Sequence, residues 1–273
     1  MQYGLIGAGP VSQYFAAKLP RVRQQLGPVA ASSHRLASRI VNSLRAGEAI
    51  RDLSGLAPSE MILICAPDGH LQSLLPILRR GSQKWANKHI VLCDCDAESR
   101  SLDFLQERGA SVASLSSLPG TSRKYLVEGD KNAVKCARGL VKEMKGAPIE
   151  IRTDHYALFR AAKTISSSLF TPLLEGCTSA LRRSGINGAG PSQIAEALFL
   201  HSLRAYRYSG RKSWSGSIAR GDQRVIEEEV ESLRAFKPVL AELYCTGSQS
   251  AQKLFTHSKR HRVEKAGGPE NSR

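Results

Sequence analysis

Apolar residues along this chain follow two regimes that change near residue 153. Before that point, short apolar runs at 3–6 (YGLI), 27–31 (GPVAA), 61–66 (MILICA), 89–93 (HIVLC), 111–115 (SVASL), 125–127 (YLV) and 149–151 (IEI) read as strands. Amphipathic stretches separate them: a helix from near Val11 until Pro20 breaks the pattern, then helices over 34–45, 70–79, 97–108 and 132–144. The run at 61–66 is apolar at every position, as a central parallel strand buried on both faces requires. Strands alternating with helices predict an α/β fold, a doubly wound parallel sheet over residues 1–152. From Asp154 the strand signal is gone. Leu158, Ala162, Ile165 and Leu169 recur at helical spacing, Pro172 restarts the helix, and Leu173, Leu174, Cys177 and Leu181 continue its apolar face. A second helix follows from Pro191 to about Tyr208, then a polar loop over 210–221, then a third helix over 227–243 interrupted at Pro238. The expectation is an all-α domain over 153–257. The remainder, 258–273, is a basic tail without apolar periodicity, which should be disordered.

The chemistry of the sheet domain starts where its first strand ends. Gly7, Ala8, Gly9 and Pro10 turn the chain into the helix that opens near Val11. Two glycines let the backbone approach a pyrophosphate, and the helix N-terminus then offers it unpaired N–H groups and a positive dipole end. This is the opening of a Rossmann-like dinucleotide fold, with Ser12 in the third fingerprint position, where Gly or Ala is usual. A tight βα turn with no ligand is the alternative. About 20 residues on, where an NAD-binding chain places an acid on the ribose hydroxyls, this chain has Ser32, Ser33, His34 and Arg35. Hydroxyls and a guanidinium donate to a 2′-phosphate, so the cofactor expected is NADP(H); the competing reading makes Ser32 or Ser33 only a helix cap. Ala66, Pro67 and Asp68, at the carboxyl end of the 61–66 strand, should form a wall of the same crevice, with Asp68 also placed to cap the next helix.

Composition changes this picture little. The 273 residues are 41% hydrophobic and 23% charged, ordinary for a globular chain with room for two cores. No apolar run reaches the length of a membrane span. The chain enters a strand at once, without the basic and apolar regions of a secretory leader, which points to the cytoplasm. Six cysteines lie mostly in apolar runs, as buried free thiols would, and Cys93 and Cys95 should point to opposite faces of a strand, so no metal site is expected. The net charge of +15 admits a nucleic-acid partner. The basic residues are dispersed along helices with no interleaved aromatics, so solvated faces are the favoured reading and nucleic acid is not expected. Asp94 and Asp96 read as loop and cap residues, and 114–124 (SLSSLPGTSRK) as a loop near the crevice.

Taken in order, GLIGAGPVSQ, SSHR, ILICAPDGH, VEGDKNA, LFRAAKTISSSLF and above all GSIARGD at 216–222 resemble the Rossmann-like proteins that carry the C-terminal domain of unknown function 2520. That family is similar to deazaflavin-dependent NADP reductases and to the 6-phosphogluconate dehydrogenase group. The resemblance covers about residues 1–255. It implies a helical domain that commonly dimerises and a substrate cleft between the two domains; it names no reaction. Departures from the family stand at the start of the first α-domain helix. Relatives read Leu-Tyr-His-Ala-Ala where this chain has Leu158, Phe159, Arg160, Ala161 and Ala162, and Arg160 stays protonated, so it can hold an anion but not exchange a proton. Ser167 and Ser168 stand where relatives place Ser-Asn, and Lys163 where they place an apolar residue. Lys163 and Ser167, four apart, resemble the Lys-plus-Asn pair that β-hydroxyacid dehydrogenases direct at substrate. A partly buried lysine can give a proton to a carbonyl or imine as hydride arrives, whereas the plain alternative is a surface lysine lying along its helix. Arg220, from the polar loop, is the candidate anion clamp.

The reading is an NADP(H)-dependent oxidoreductase acting on a small, anionic carbonyl or imine compound, with Arg160, Lys163, Ser167 and Arg220 around the substrate. It should form a homodimer through its helical domain. The alternative is an NADP(H)-binding sensor that has lost turnover.

Overall fold

The computed structural model describes residues 2–8, 19–66, 68–81, 83–93 and 97–263; for 68, 69 and 256–263 it gives the backbone course alone. The chain divides into two compact units, Met1–Ala162 and Lys163–Arg273.

The first unit is α/β. Its strands are β1 (Tyr3–Gly7), β2 (Leu26–Ala31), β3 (Glu48–Ala49), β4 (Met61–Cys65), β5 (His89–Cys93), β6 (Ser111–Ser117), β7 (Lys124–Gly129) and β8 (Ala147–Glu150). They form one eight-stranded sheet in the order β3-β2-β1-β4-β5-β6-β7-β8. Only the β6–β7 pair is antiparallel. Helices α1 (Pro20–Gln24), α2 (His34–Leu44) and α5 (Lys131–Glu143) cover one face, while α3 (Asp68–Arg80) and the short α4 (Asp103–Gln106) cover the other.

Strand β4 shows why its run is uninterrupted. Leu63 and Cys65 pack with Ile40, Leu44, Ala137 and Leu140 on the first face, whereas Ile62 and Ile64 pack with Leu71, Leu74, Leu78 and Trp85 on the second. Each face demands an apolar side chain at alternate positions, so together they demand one everywhere.

The sheet unit differs from the expected pattern in four places. Pro20, expected to break a helix, begins a short one, as a first-turn proline can; the helix expected from near Val11 lies outside the described residues. The helix expected over 97–108 is reduced to a 3-10 turn, Ser99–Leu102, followed by the single turn α4. Its first backbone N–H, that of Ser99, is claimed by the Glu128 carboxylate at 2.6 Å. Strand β6 runs on to Ser117 and β7 starts at Lys124, so the expected 114–124 loop shrinks to a turn in which Thr121 bonds back to the Leu118 carbonyl. The two-residue β3 carries too little sequence to signal itself. Asp94 and Asp96 lie outside the described residues.

Helix α6 (Tyr156–Ser166) crosses from the first unit into the second. The second unit continues with α7 (Phe170–Arg183), α8 (Gly190–Ser209), α9 (Ser217–Arg220), α10 (Gln223–Phe236) and α11 (Pro238–Val263). Pro238 stands at the start of α11, where a missing N–H costs nothing, and so splits what the periodicity reads as one helix. Residues 258–263, expected in the unstructured tail, are the last turns of α11. The polar segment 210–221 is ordered by an aromatic clasp. Trp214 stacks on Phe255 at 4.5 Å between centroids, and the Arg211 guanidinium sits 4.9 Å from the same ring and donates to the Leu254 carbonyl.

Candidate functional site

The strand register brings the expected nucleotide-binding residues to one edge. Gly7 pairs with Ala31 of β2 on one side and Cys65 of β4 on the other, and Cys65 pairs with Cys93 of β5, so four carboxyl ends are level. From β1 the chain moves outward through β2 and β3, then returns to place β4 on the opposite side of β1. Such a reversal opens a crevice outside the strand ends. Ala8 is buried there, its N–H donating to the Cys65 carbonyl at 2.9 Å, and Ala66 is buried next to it in sequence. Gly7, Ala8 and Ala66 therefore share the edge. Gly9, Pro10, Val11 and Pro67 lie outside the described residues. Asp68 is the first residue of α3.

At the end of β2, Ser33 is the N-cap of α2, extended at φ −149° and ψ 153°, and its Oγ accepts the Leu36 N–H at 3.3 Å. Capping uses a lone pair and leaves the hydroxyl proton to be donated. Ser32, His34 and Arg35 are exposed, and no acid stands in the first turn of α2. Two hydroxyls, a guanidinium and a helix N-terminus with no acid in its first turn offer a phosphate several donors, and they lack the carboxylate that pairs with ribose hydroxyls. These residues suit the 2′-phosphate of NADP(H).

In the helical stretch, Arg160 and Lys163 are three apart on α6 and share a face; Arg160 is exposed and Lys163 half-buried. The sequence reading puts Ser167 on the same helix, but α6 ends at Ser166 and Ser167 occupies the turn that follows. The Lys163 carbonyl accepts from Ser167 N at 3.1 Å, Ser167 Oγ at 2.7 Å and Ser166 Oγ at 3.0 Å. The Ser167 hydroxyl thus donates to backbone, and what it can offer a ligand is an acceptor.

Arg220 ends α9 and is exposed. The glycines of its motif have a backbone reason: Gly216 has φ +94° and Gly221 φ +69°, both in the region that side chains avoid. One carboxylate holds the segment in place. Glu229 Oε2 accepts from Ser217 Oγ at 3.2 Å and from the Tyr244 hydroxyl, tying α9 to α10 and α11. Burial pushes the Tyr244 phenol up, and the bond to Glu229 pushes it further. Asp222 caps α10, its Oδ1 accepting the Val225 N–H at 3.4 Å. Periodicity does not reveal the Ser217–Glu229–Tyr244 set, because its members lie 12 and 15 residues apart.

A cavity of about 560 Å³ within the helical unit is lined by Leu173, Cys177, Leu233, Leu240, Glu229 and Tyr244. Burial pushes the Cys177 thiol up, which leaves it protonated and unreactive near neutral pH. The cysteines are less uniformly buried than their sequence context predicts: Cys65 and Cys93 are buried, whereas Cys136, Cys177 and Cys245 are half-buried. Among the described residues no group of acidic, His or Cys side chains is placed to hold a metal, and no helix is long and apolar enough to cross a membrane.

Residues 124–251 match the family model described as Domain of unknown function (DUF2520). The matched segment starts at β7, inside the sheet, and ends within α11. A comparison with curated proteins finds no match. Among solved structures, the fold is similar to an imine reductase from Streptomyces aurantiacus, with a TM-score of 0.63 at 14% identity over 92% of this chain and 95% of that one. It is likewise similar to an imine reductase from Myxococcus stipitatus in complex with NADP+, with a TM-score of 0.59 at 14% identity over 98% and 95%. A reductive aminase from Aspergillus terreus in complex with NADPH and ethyl-5-oxohexanoate gives 0.56 at 16% identity over 98% and 96%.

Proposed function

We propose that this protein is an NADP(H)-dependent oxidoreductase that transfers hydride between the nicotinamide and a small, anionic carbonyl or imine compound. The observation that carries the reading is the carboxyl end of β2, where exposed Ser32 and Arg35 and the N-terminus of α2 meet with no acid in the first turn. The nicotinamide supplies the hydride when bound. Gly7, Ala8 and Ala66, with Gly9, Pro10, Val11, Pro67 and Asp68 of the same turns, hold its dinucleotide, and Ser32, Ser33 and Arg35 hold the 2′-phosphate. Arg160 and Arg220 hold the anionic group of the substrate, Lys163 gives or takes the proton, and the acceptor face of Ser167 orients the group that Lys163 protonates. The likeness in fold to an imine reductase in complex with NADP+ and a reductive aminase in complex with NADPH supports the same reading.

The proposal includes a homodimer formed through the helical unit. Within that unit Ile165, Leu169, Leu198 and Leu203 are 62, 56, 51 and 65% exposed, apolar area that a partner copy would cover.

Titration with NADPH and NADH, followed by nicotinamide fluorescence, tests the cofactor assignment. Wild type should prefer NADPH, and Arg35→Glu should weaken NADPH about tenfold or more while leaving NADH unchanged, since one charge-assisted pair is worth about 1.5–3 kcal/mol. Absence of binding of either nucleotide at millimolar concentration sinks the oxidoreductase reading. A second reading, a nucleotide sensor without turnover, draws on Arg160 and on the Ser167 hydroxyl, which already donates within the backbone. Oxidation of bound NADPH by any member of a carbonyl and imine panel excludes the sensor.

A further inference from the structure

On the sheet unit, at the end of the sheet away from β3, a groove of about 890 Å³ runs between α5 and the segment that leaves β8. It lies five strands from β1 in the sheet order, about 24 Å from the glycine turn at the usual strand spacing. Cations dominate its lining: Lys131, Lys135, Arg138 and Lys142 from α5, with Arg152 from the chain beyond β8. The four on α5 fall at steps of four, three and four residues, hence on one helical face over about 16 Å. Arg138 is paired with Glu150 at 3.1 Å, and Arg152 with Asp154. Among the described residues no carboxylate pairs with Lys131, Lys135 or Lys142.

A further observation points to an anionic ligand. Asp130 stands at the N-cap of α5 but does not cap it, because its Oδ2 is taken by the Val112 N–H at 2.7 Å and Gln106 Nε2 at 2.8 Å. The first-turn N–H groups of α5, beside Lys131 and Asn132 in the groove lining, are left without a side-chain acceptor. Gly139 also lines the groove. It sits in the interior of α5 with an ordinary helical φ, and a Cβ there would meet nothing within 4 Å. Gly139 therefore leaves the α5 backbone bare toward the open groove, where a ligand can approach it.

We propose that this groove binds a small molecule bearing two or three linked phosphoryl groups. One phosphate sits at the α5 N-terminus between Lys131 and Asn132, and the rest of the chain runs past Lys135 toward Lys142. The absence of an aromatic side chain from the lining gives nucleic-acid bases nothing to stack on and favours the small ligand. This site is independent of the cofactor reading, since no residue is shared.

Calorimetric titration of the full chain with inorganic tripolyphosphate and with ATP tests it, in wild type, Lys135→Glu and Gly139→Leu. Wild type should bind at least one of the two, and Lys135→Glu should weaken it about tenfold and reduce the slope of log K against log salt by about 1. Gly139→Leu should weaken it similarly with no change in charge and no loss of thermal stability. Tighter binding of ATP than of tripolyphosphate assigns a nucleoside polyphosphate, and equal binding assigns an inorganic one; both support the site. Equal affinities in wild type and both variants overturn it, as does absence of binding of both probes at millimolar concentration. Binding of a single-stranded oligonucleotide about tenfold tighter than either probe, lost in both variants, overturns the small-ligand assignment and gives the groove to nucleic acid.

Discussion

Tyr244 shows how one hydroxyl positions a site that it does not enter. Its bond to Glu229 holds the carboxylate that in turn receives Ser217, three residues before Arg220 in the chain. Tyr244→Phe should lower stability by about 1 kcal/mol at pH 8, the usual worth of such a bond. The phenol is raised in the folded state, so the folded chain keeps its proton at pH values where the unfolded chain has lost it. Stability is then fully present below pH ~10 and declines as pH rises through the raised value. Denaturant titrations from pH 8 to 11 should show a shallower alkaline decline in Tyr244→Phe than in wild type. The catalytic expectation for Lys163 belongs to the same scale: Lys163→Ala should reduce turnover about 100-fold or more while NADPH affinity stays within about twofold, the signature of a lost proton donor. Sequence disclosed those residues whose chemistry is local. The Ser33 helix cap announces itself because a cap and the helix start are neighbours in the chain. Glu128 and Glu229 do not, because each meets donors brought from a dozen or more residues away.

Among the elements, β6, β7 and the 3-10 turn Ser99–Leu102 are fastened by a single buried side chain. Glu128, 1% exposed, accepts from Ser99 N at 2.6 Å, Ser99 Oγ at 2.9 Å and Ser114 Oγ at 2.6 Å. Glu128→Leu leaves these donors unsatisfied in the interior and should cost about 3 kcal/mol or more, whereas Glu128→Gln keeps one acceptor and should cost less. Urea denaturation ranks the two. At the other end of the chain, Gly216→Ala forces a side chain to φ +94° where there is room for its Cβ, so the penalty is backbone strain of about 1–3 kcal/mol and a melting point lower by several degrees. Elements with strong packing demands were legible: β4 and β5 stand where the apolar runs put them. The 3-10 turn over 99–102 was not, because the carboxylate that holds its start comes from a strand 29 residues away. The end of α6 at Ser166 was missed because the apolar period of Leu158, Ala162, Ile165 and Leu169 runs on across it.

At the scale of the molecule, the surfaces divide by character. The helical unit exposes leucines and isoleucines on α6 to α8, and the sheet unit exposes cations on α5. Sedimentation velocity should find a dimer for wild type and a monomer for Leu169→Glu combined with Leu203→Glu; a wild-type monomer at micromolar concentration removes the dimer from the proposal. Of the 39 basic residues, which outnumber the 24 acidic ones, five line the α5 groove.

Strand β1 lies inside the sheet between β2 and β4, which begin 23 and 58 residues later at Leu26 and Met61. The β1–β4 pairing is therefore a long-range contact, of the kind that forms slowly. The same placement makes β1 the joint of the sheet. Deleting residues 2–7 takes away no edge; it divides the sheet into a two-stranded fragment and a five-stranded one with no strand to join them.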